Sequence, residues 1–450
     1  MKMNSLDLEL NYEFISKFHI QELQNSLIVP LSKEGIFIKC LFCSESNYSS
    51  FNTLNLIRTK ELTKEQILFF LSDMEFRTKL YSLASASILD KNSKQNHIES
   101  FFKNLIEKAI ALRVSDIHLE SMEGVVSIRF RIDGKLKVFY IFQNSLQRVL
   151  SSYIKMLCRL DITQNRVPLD GSFSFYLDEK KFDFRVSTLP TIYGESIVIR
   201  VLDNQSILKD IRELGFNQEH LKNIEDIQKL NSGLVLITGP TGSGKSTTLY
   251  SIIKGINKED KKIITVEDPV EYKLRQVQQV EVNDELNISF KEVLKNILRQ
   301  DPDIILIGEI RDKNSLDIAL QASLTGHLVF ASIHANSAVE TLSRLFELNS
   351  DKYLLSLTLK YIISQRLVLN ICQTCKKQGC KICNYSGFYK RSCIAEILKI
   401  DEELSSLILK NDGVSAYLKS IEFKTIVEDG MKRVDSGITT LEEVYRVVNA

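Results

Sequence analysis

The sequence predicts a multidomain α/β protein whose largest domain carries a phosphate loop on a parallel sheet. Three observations predict it. At 450 residues the chain exceeds one ordinary hydrophobic core, so two or three domains are expected. From about residue 215 short β-branched runs, "GLVLITG", "KIITVED", "DIILIGE" and "HLVFASIH", alternate with helical segments, the pattern of a helix-covered parallel sheet with ligands at the carboxyl ends of its strands. The first of these runs leads directly into the glycine-rich "GPTGSGKST", ahead of a helix-permissive stretch.

Taken in order, residues 1–88 mix a helical stretch, "KEQILFFLSDMEFRTKLYSLA", with short strands such as "GIFIKCLFC", enough for a small α/β domain. Residues 89–97, "LDKNSKQNH", have no periodic apolar face and read as a linker. Residues 98–202 open with an amphipathic helix, "IESFFKNLIEKAIALR", and continue with alternating strands, "VVSIRFRIDG", "GSFSFYL", "KFDFRVSTLP" and "ESIVIRVL". Residues 203–214 read as a hinge, 215–370 as the phosphate-loop core, and 371–450 as a four-cysteine element followed by helices. Net charge is +1, which gives no general electrostatic footprint for nucleic acid or an anionic membrane. No apolar run approaches the roughly 18 to 20 residues of a membrane span, and "MKMNSLDLELNYEF" has acids where a signal peptide needs its apolar region. A cytoplasmic protein is expected.

The loop chemistry follows from residue types. Gly239, Pro240, Thr241, Gly242, Ser243 and Gly244 let the backbone wrap an anion closely, with N–H groups and the next helix N-terminus aimed at phosphate. Lys245 is placed to reach the β/γ-phosphates, and Ser246, followed by Thr247, to ligate Mg²⁺. Nothing N-terminal to the lysine tells adenine from guanine; ATP is the expected nucleotide.

Each later strand also ends in a polar residue: Glu267 with Asp268, then Glu309, then His334. A nucleoside-triphosphatase sheet needs one carboxylate for the Mg²⁺ shell and another to orient or deprotonate water, and Glu267 and Glu309 are the candidates as a pair. His327 and His334 flank one apolar strand; each reads either as a structural histidine or as a sensor of the γ-phosphate. In "CQTCKKQGCKIC", Cys372, Cys375, Cys380 and Cys383 form two CxxC pairs, able to close a structural tetrahedral Zn²⁺ site. Cys40, Cys43, Cys158 and Cys393 read as core thiols.

"GPTGSGKSTTLY", "VEDPVEY", "ILRQDPDIILIGEIRD" and "LTGHLVFASIHANSA", with "SDIHLE", "IRFRIDG" and "RVSTLPTIYGESIVIRVL" upstream, resemble the secretion ATPases of type II secretion and type IV pilus assembly, the GspE/PilB family. The resemblance runs from about residue 98 to the C-terminus. It implies a RecA-like ATPase core, a PAS-like domain before it and an N-terminal partner-docking domain. It also implies a catalytic role for Glu309, a water- and Mg²⁺-positioning role for Glu267, a histidine box at His327 and His334, and γ-phosphate contacts from Arg185 and Arg200. Read from residues alone, those two arginines are only cations in β-type segments. The family is hexameric and couples ATP hydrolysis to domain motion, docking on an inner-membrane platform protein and on the cytoplasmic domain of a membrane anchor to drive fibre assembly for secretion, piliation or DNA uptake. Peripheral association with the inner membrane through those partners is therefore implied, without stable nucleic-acid binding. Retraction motors lack the four cysteines, which favours assembly. A retraction motor, a nucleotide-gated adaptor that hardly hydrolyses ATP, and a nucleic-acid translocase are the rival readings. Two departures stand out: Leu169 and Ser172 occupy positions where the family usually has Gln and Arg, and the insert between the cysteine pairs is short. The signature by which some relatives bind cyclic di-GMP is missing, so no such binding is expected.

Overall fold

The computed structural model describes residues 10–51, 54–89, 94–202, 209–257, 259–282, 288, 290–348, 351–410 and 412–449. The chain divides into two compact units, Met1–Asp203 with Cys372–Tyr389, and Asn204–Ile371 with Lys390–Ala450. Of the segments read as linkers, residues 90–93 and 203–208 lie outside the described residues.

The first unit begins with helices α1 (Tyr12–Ile15) and α2 (Ile20–Ser26), then strands β1 (Val29–Glu34), β2 (Phe37–Phe42) and β3 (Asn55–Glu61) in one sheet of order β1-β2-β3. Cys40 and Cys43 are buried in its core beside Leu23, Leu41 and Phe70, and burial pushes the Cys40 thiol up to about 11, as suits a packing residue. The stretch expected to be one helix is two, α3 (Lys64–Ser72) and α4 (Met74–Leu89). A capping box between Thr63 and Gln66 starts α3. Asp73 ends it, buried and bonded to Lys108 and to the Tyr140 hydroxyl at 2.8 Å, so a tertiary anchor overrides a continuous helical pattern.

Helix α5 (Lys94–Ala111) begins inside the segment read as a linker. Strands β4 (Val114–Met122), β5 (Val125–Ile132) and β6 (Lys135–Gln143), helix α6 (Ser145–Leu157), and strands β7 (Leu169–Leu177), β8 (Lys180–Thr191) and β9 (Gly194–Leu202) complete the unit. The six strands form an antiparallel sheet of order β6-β5-β4-β9-β8-β7. Leu80 and Ala84 of α4 share a core with Phe101, Leu150 and Ile199, while Met74 belongs to the N-terminal core. Helix α4 therefore ties the two cores together, and no domain boundary falls at residue 88. Cys158 caps α6 and is buried.

The second unit runs α7 (Gln218–Gln228), β10 (Gly233–Thr238), α8 (Lys245–Ile256), β11 (Ile263–Glu267), β12 (Gln278–Glu281), α9 (Phe290–Ile297), β13 (Ile304–Ile307), α10 (Lys313–Leu324), β14 (Leu328–Ile333), α11 (Ala338–Glu347), α12 (Lys352–Thr358) and β15 (Leu359–Ile371). It resumes with β16 (Phe388–Lys399), α13 (Glu402–Lys410), α14 (Val414–Ser420), α15 (Ile426–Asp435) and α16 (Leu441–Val448). The sheet order is β12-β11-β13-β14-β10-β15-β16, and β12 through β15 pair in parallel. Strands β10, β11, β13 and β14 are buried along their whole length, which is why they read as continuous apolar runs rather than alternating ones. The four-cysteine loop leaves β15 and re-enters β16 but clusters with the first unit, so the 371–450 segment is not one domain. Among the described residues no helix is long and apolar enough to cross a membrane.

Candidate functional site

Strand β10 lies between β14 and β15, and the loop after it turns at the carboxyl edge of the sheet. Gly239 has φ 149°, and a Cβ there would meet the Gln365 carbonyl and Ser243 Oγ at 2.6 Å each. Gly244, at φ 91°, caps α8 in the left-handed region beside Gln365 Nε2. These contacts fix the glycines that the loop needs to present its N–H groups and the start of α8 to an anion. Gln365 Nε2 donates to the Ser243 carbonyl at 2.8 Å, and Ser243 Oγ is buried without a partner among the described residues. Lys245 Nζ donates to the carbonyls of Gly239 (2.7 Å) and Pro240 (3.3 Å), folding the ammonium over its own loop. Burial pushes Lys245 down to about 8; the Glu309 charge opposes that shift and Arg366 adds to it. Ser246 is exposed at the first turn of α8.

Neighbouring strand ends bring the other groups in. Glu309 follows β13, where the Gly308 backbone runs close to β11: a Cβ there would lie 3.0 Å from the Val266 carbonyl. The Glu309 carboxylate is gripped on both oxygens, by His334 Nε2 at 3.2 Å and by Arg311 Nε at 3.0 Å, while Arg311 Nη1 also reaches Asp268 at 3.3 Å. Glu267 ends β11 and is buried. It accepts from the Tyr250 hydroxyl, from Thr265 Oγ1 at 2.6 Å and from Gln279 Nε2 at 3.1 Å. The two acids are thus unlike: Glu309 is partly open and felt by Lys245, whereas Glu267 is saturated by donors from α8, β11 and β12.

The structure does not bring His327 into this group. It precedes β14 while His334 follows it, so at about 3.3 Å per residue the pair stands roughly 20 Å apart at opposite sheet edges. His327 Nδ1 pairs with the Ala322 carbonyl at 2.9 Å and Thr325 Oγ1 at 3.1 Å, a helix-end role. Arg185 and Arg200 lie in the first unit, in direct register on β8 and β9. The row continues across the sheet, with Asp116 opposite Arg200, Arg131 opposite Asp116, and Ser172 opposite Arg185. Ser172, noted above as a departure, therefore ends an arginine row that the family pattern would extend.

The four cysteine sulfurs all lie within 4.8 Å of one another, with separations of 3.8 Å (Cys372–Cys380), 3.7 Å (Cys375–Cys383) and 3.7 Å (Cys380–Cys383). A tetrahedron with metal–sulfur bonds of about 2.3 Å has edges of about 3.8 Å, which these three separations match. The loop is seated by Tyr389 under the Arg113 guanidinium at 4.3 Å and Phe388 under Lys135 at 5.1 Å.

A sequence model for the family described as "Type II/IV secretion system protein" matches residues 91–446. The chain belongs to this family of secretion ATPases. Type II secretion system protein E of Dickeya dadantii (strain 3937) is 38% identical over 401 residues, covering 84% of this chain and 80% of that protein. Type II secretion system ATPase E of Vibrio cholerae serotype O1 is 39% identical over 370 residues, 76% of this chain and 74% of that one. Among solved structures, the pilus retraction motor PilT with bound ADP is 30% identical, covers 76% of this chain and 95% of its own, and superposes with a TM-score of 0.58. The Legionella pneumophila ATPase DotB, at 23% identity and a TM-score of 0.64 over 78% of this chain and 95% of its own, shares the fold.

Sequence reasoning passed over Tyr250, Gln365, Arg366 and Arg311. Tyr250 and Arg311 sit inside motifs quoted above, "GKSTTLY" and "GEIRD", whereas Gln365 and Arg366 belong to β15, whose apolar run carries no chemical signature.

Proposed function

We propose that the chain is a hexameric motor that converts ATP hydrolysis into movement between its two units and so drives assembly of pilin-like fibres. One observation carries the reading: the phosphate loop with Lys245, the doubly held Glu309 and His334 share one edge of a single parallel sheet. In this reading Gly239 to Thr247 cradle the triphosphate, and Lys245 exchanges the Gly239 and Pro240 carbonyls for phosphate oxygens. Ser246 would ligate Mg²⁺ and Glu267 would help to position it; bound there, the ion would neutralise charge on the phosphates. Glu309 orients and deprotonates the attacking water, with His334 and Arg311 fixing its two oxygens. Arg185 and Arg200 meet the γ-phosphate, and its loss frees motion about residues 203–214. His327 is assigned no step.

Zinc on Cys372, Cys375, Cys380 and Cys383 organises the loop and takes no part in hydrolysis. The four cysteines and the N-terminal region of residues 1–88 favour assembly over retraction. The motor works in the cytoplasm against an inner-membrane platform protein, held there by the cytoplasmic domain of a membrane anchor, and binds no nucleic acid stably. A chromosomal Lys245→Ala strain, scored side by side for secreted proteins, surface pili and uptake of external DNA, tests this. Loss of one output names the machine served; all three intact, with the protein at its normal level, would count against a motor role.

A further inference from the structure

The motif "SDIHLE" makes up residues 115–120 of β4, and the ATPase chemistry above leaves it without a task. Its Asp116 is 8% exposed, on the central strand between β5 and β9. Asp116 Oδ1 accepts from Arg200 Nε at 3.1 Å; Oδ2 accepts from Ser115 Oγ at 2.9 Å and lies 3.5 Å from Arg131 Nε. Arg200 itself is 58% exposed, and its two Nη groups have no partner among the described residues.

We propose that Asp116 is a positioning residue that holds the Arg200 guanidinium by its Nε edge, so that the Nη fork faces outward to receive phosphate oxygens. This rests on the reading of Arg200 as a γ-phosphate contact. A guanidinium is a rigid plane on a flexible stem, and a bidentate phosphate contact needs that plane oriented beforehand. A carboxylate on Nε does so without occupying the fork. The anchor is stiff, because Asp116 is buried and its second oxygen is held by Ser115. Charge at Asp116 points the same way: Arg131 and Arg200 share its one carboxylate. Two guanidinium groups on one carboxylate leave positive charge suited to an anion brought to Arg200. Asp116 touches no reacting atom.

The test uses the full-length assembled enzyme and the variants Asp116→Asn, Arg200→Ala and their combination. Readouts are kcat, KM for ATP, and binding of ADP alone against ADP with aluminium fluoride, a transition-state mimic. Asp116→Asn should lower kcat about 10- to 100-fold, the order expected when a reacting group is misplaced by about an ångström. KM and ADP affinity should stay within about threefold, while affinity for the aluminium fluoride complex falls in step with kcat. In the Arg200→Ala background Asp116→Asn should add less than about twofold, since both act through one group. Equal losses from Asp116→Asn in both backgrounds would show a merely structural ion pair and overturn the proposal, as would wild-type kcat in Asp116→Asn beside a slow Arg200→Ala. Wild-type kcat in Arg200→Ala would instead overturn the arginine reading beneath it. Should Asp116→Asn fail to fold, Ser115→Ala loosens the same anchor, and it too should lower kcat with KM unchanged; no change in kcat would overturn the proposal.

Discussion

Replacing Cys380 by serine, or stripping metal with a chelator, should unfold the loop from Cys372 to Tyr389 while the ATPase sheet stays folded. The loop is strained in its backbone. Lys376, Lys377, Asn384 and Tyr385 all have φ between 48° and 77°, and only Gly379 and Gly387 among its left-handed residues are exempt from a side-chain penalty. At about 1 to 2 kcal/mol for each non-glycine residue, less for asparagine, several kcal/mol oppose this conformation. Hydrogen bonds within the loop, such as Tyr385 N–H to the Cys380 carbonyl at 2.9 Å and Cys372 N–H to the Gly387 carbonyl at 2.9 Å, offset part of it. Structural zinc contributes roughly 10 to 16 kcal/mol in small peptides, enough to exceed the strain with a margin. Three of the sulfur separations, at 3.7 to 3.8 Å, already match zinc-binding spacing. Purified protein should therefore carry one zinc per chain. Limited trypsin digestion reads the loop directly, since Lys376, Lys377 and Lys381 lie inside it. Metal-loaded protein should resist cleavage there, and both Cys380→Ser and chelated protein should be cut first at those lysines, with hydrogen exchange rising from 372 to 389 and unchanged along β10 and β14. Substoichiometric zinc in active protein, or identical digestion patterns with and without metal, would refute the reasoning.

Two further outcomes follow from the site. Because burial holds free Lys245 down at about 8 and a polyphosphate restores its charge, ATP binding should take up a proton near that pH. Apparent affinity should then fall as pH rises through about 8 to 9, and calorimetry in buffers of different ionisation enthalpy checks both. Tyr250→Phe removes one of the three donors to buried Glu267, a bond to a charged group worth about 1.5 to 3 kcal/mol. The second unit should melt several degrees lower and show a weaker Mg²⁺ dependence, as followed by thermal unfolding and Mg²⁺ titration of the ATPase.

The parts of the site legible in the sequence are those whose chemistry dictates residue type at fixed spacing. Gly239, Gly244, Lys245 and Ser246 could hardly be otherwise in a phosphate loop, and the paired CxxC spacing already implies one tetrahedral site. Continuous apolar runs marked β10, β11, β13 and β14 because buried parallel strands have no polar face to alternate with. What stayed hidden depends on partners far apart in the chain. Asp73 breaks a helix through contacts with Lys108 and Tyr140, and the arginine row exists only once five strands are in register. The first turn of α5 looked like a linker because its residues are polar, although the helix they start is packed along the rest of its length. His327 and His334 looked equivalent beside one strand, yet a strand places its two ends on opposite edges of the sheet.

The most direct measurement is Mg²⁺-dependent phosphate release by purified wild-type protein and by Glu309→Gln, with ATP binding followed in parallel. The account predicts that Glu309→Gln binds ATP with near wild-type affinity and releases phosphate at least about 10²-fold more slowly, because the base that orients water is gone while the phosphate loop is intact. Phosphate release by Glu309→Gln at the wild-type rate would contradict it.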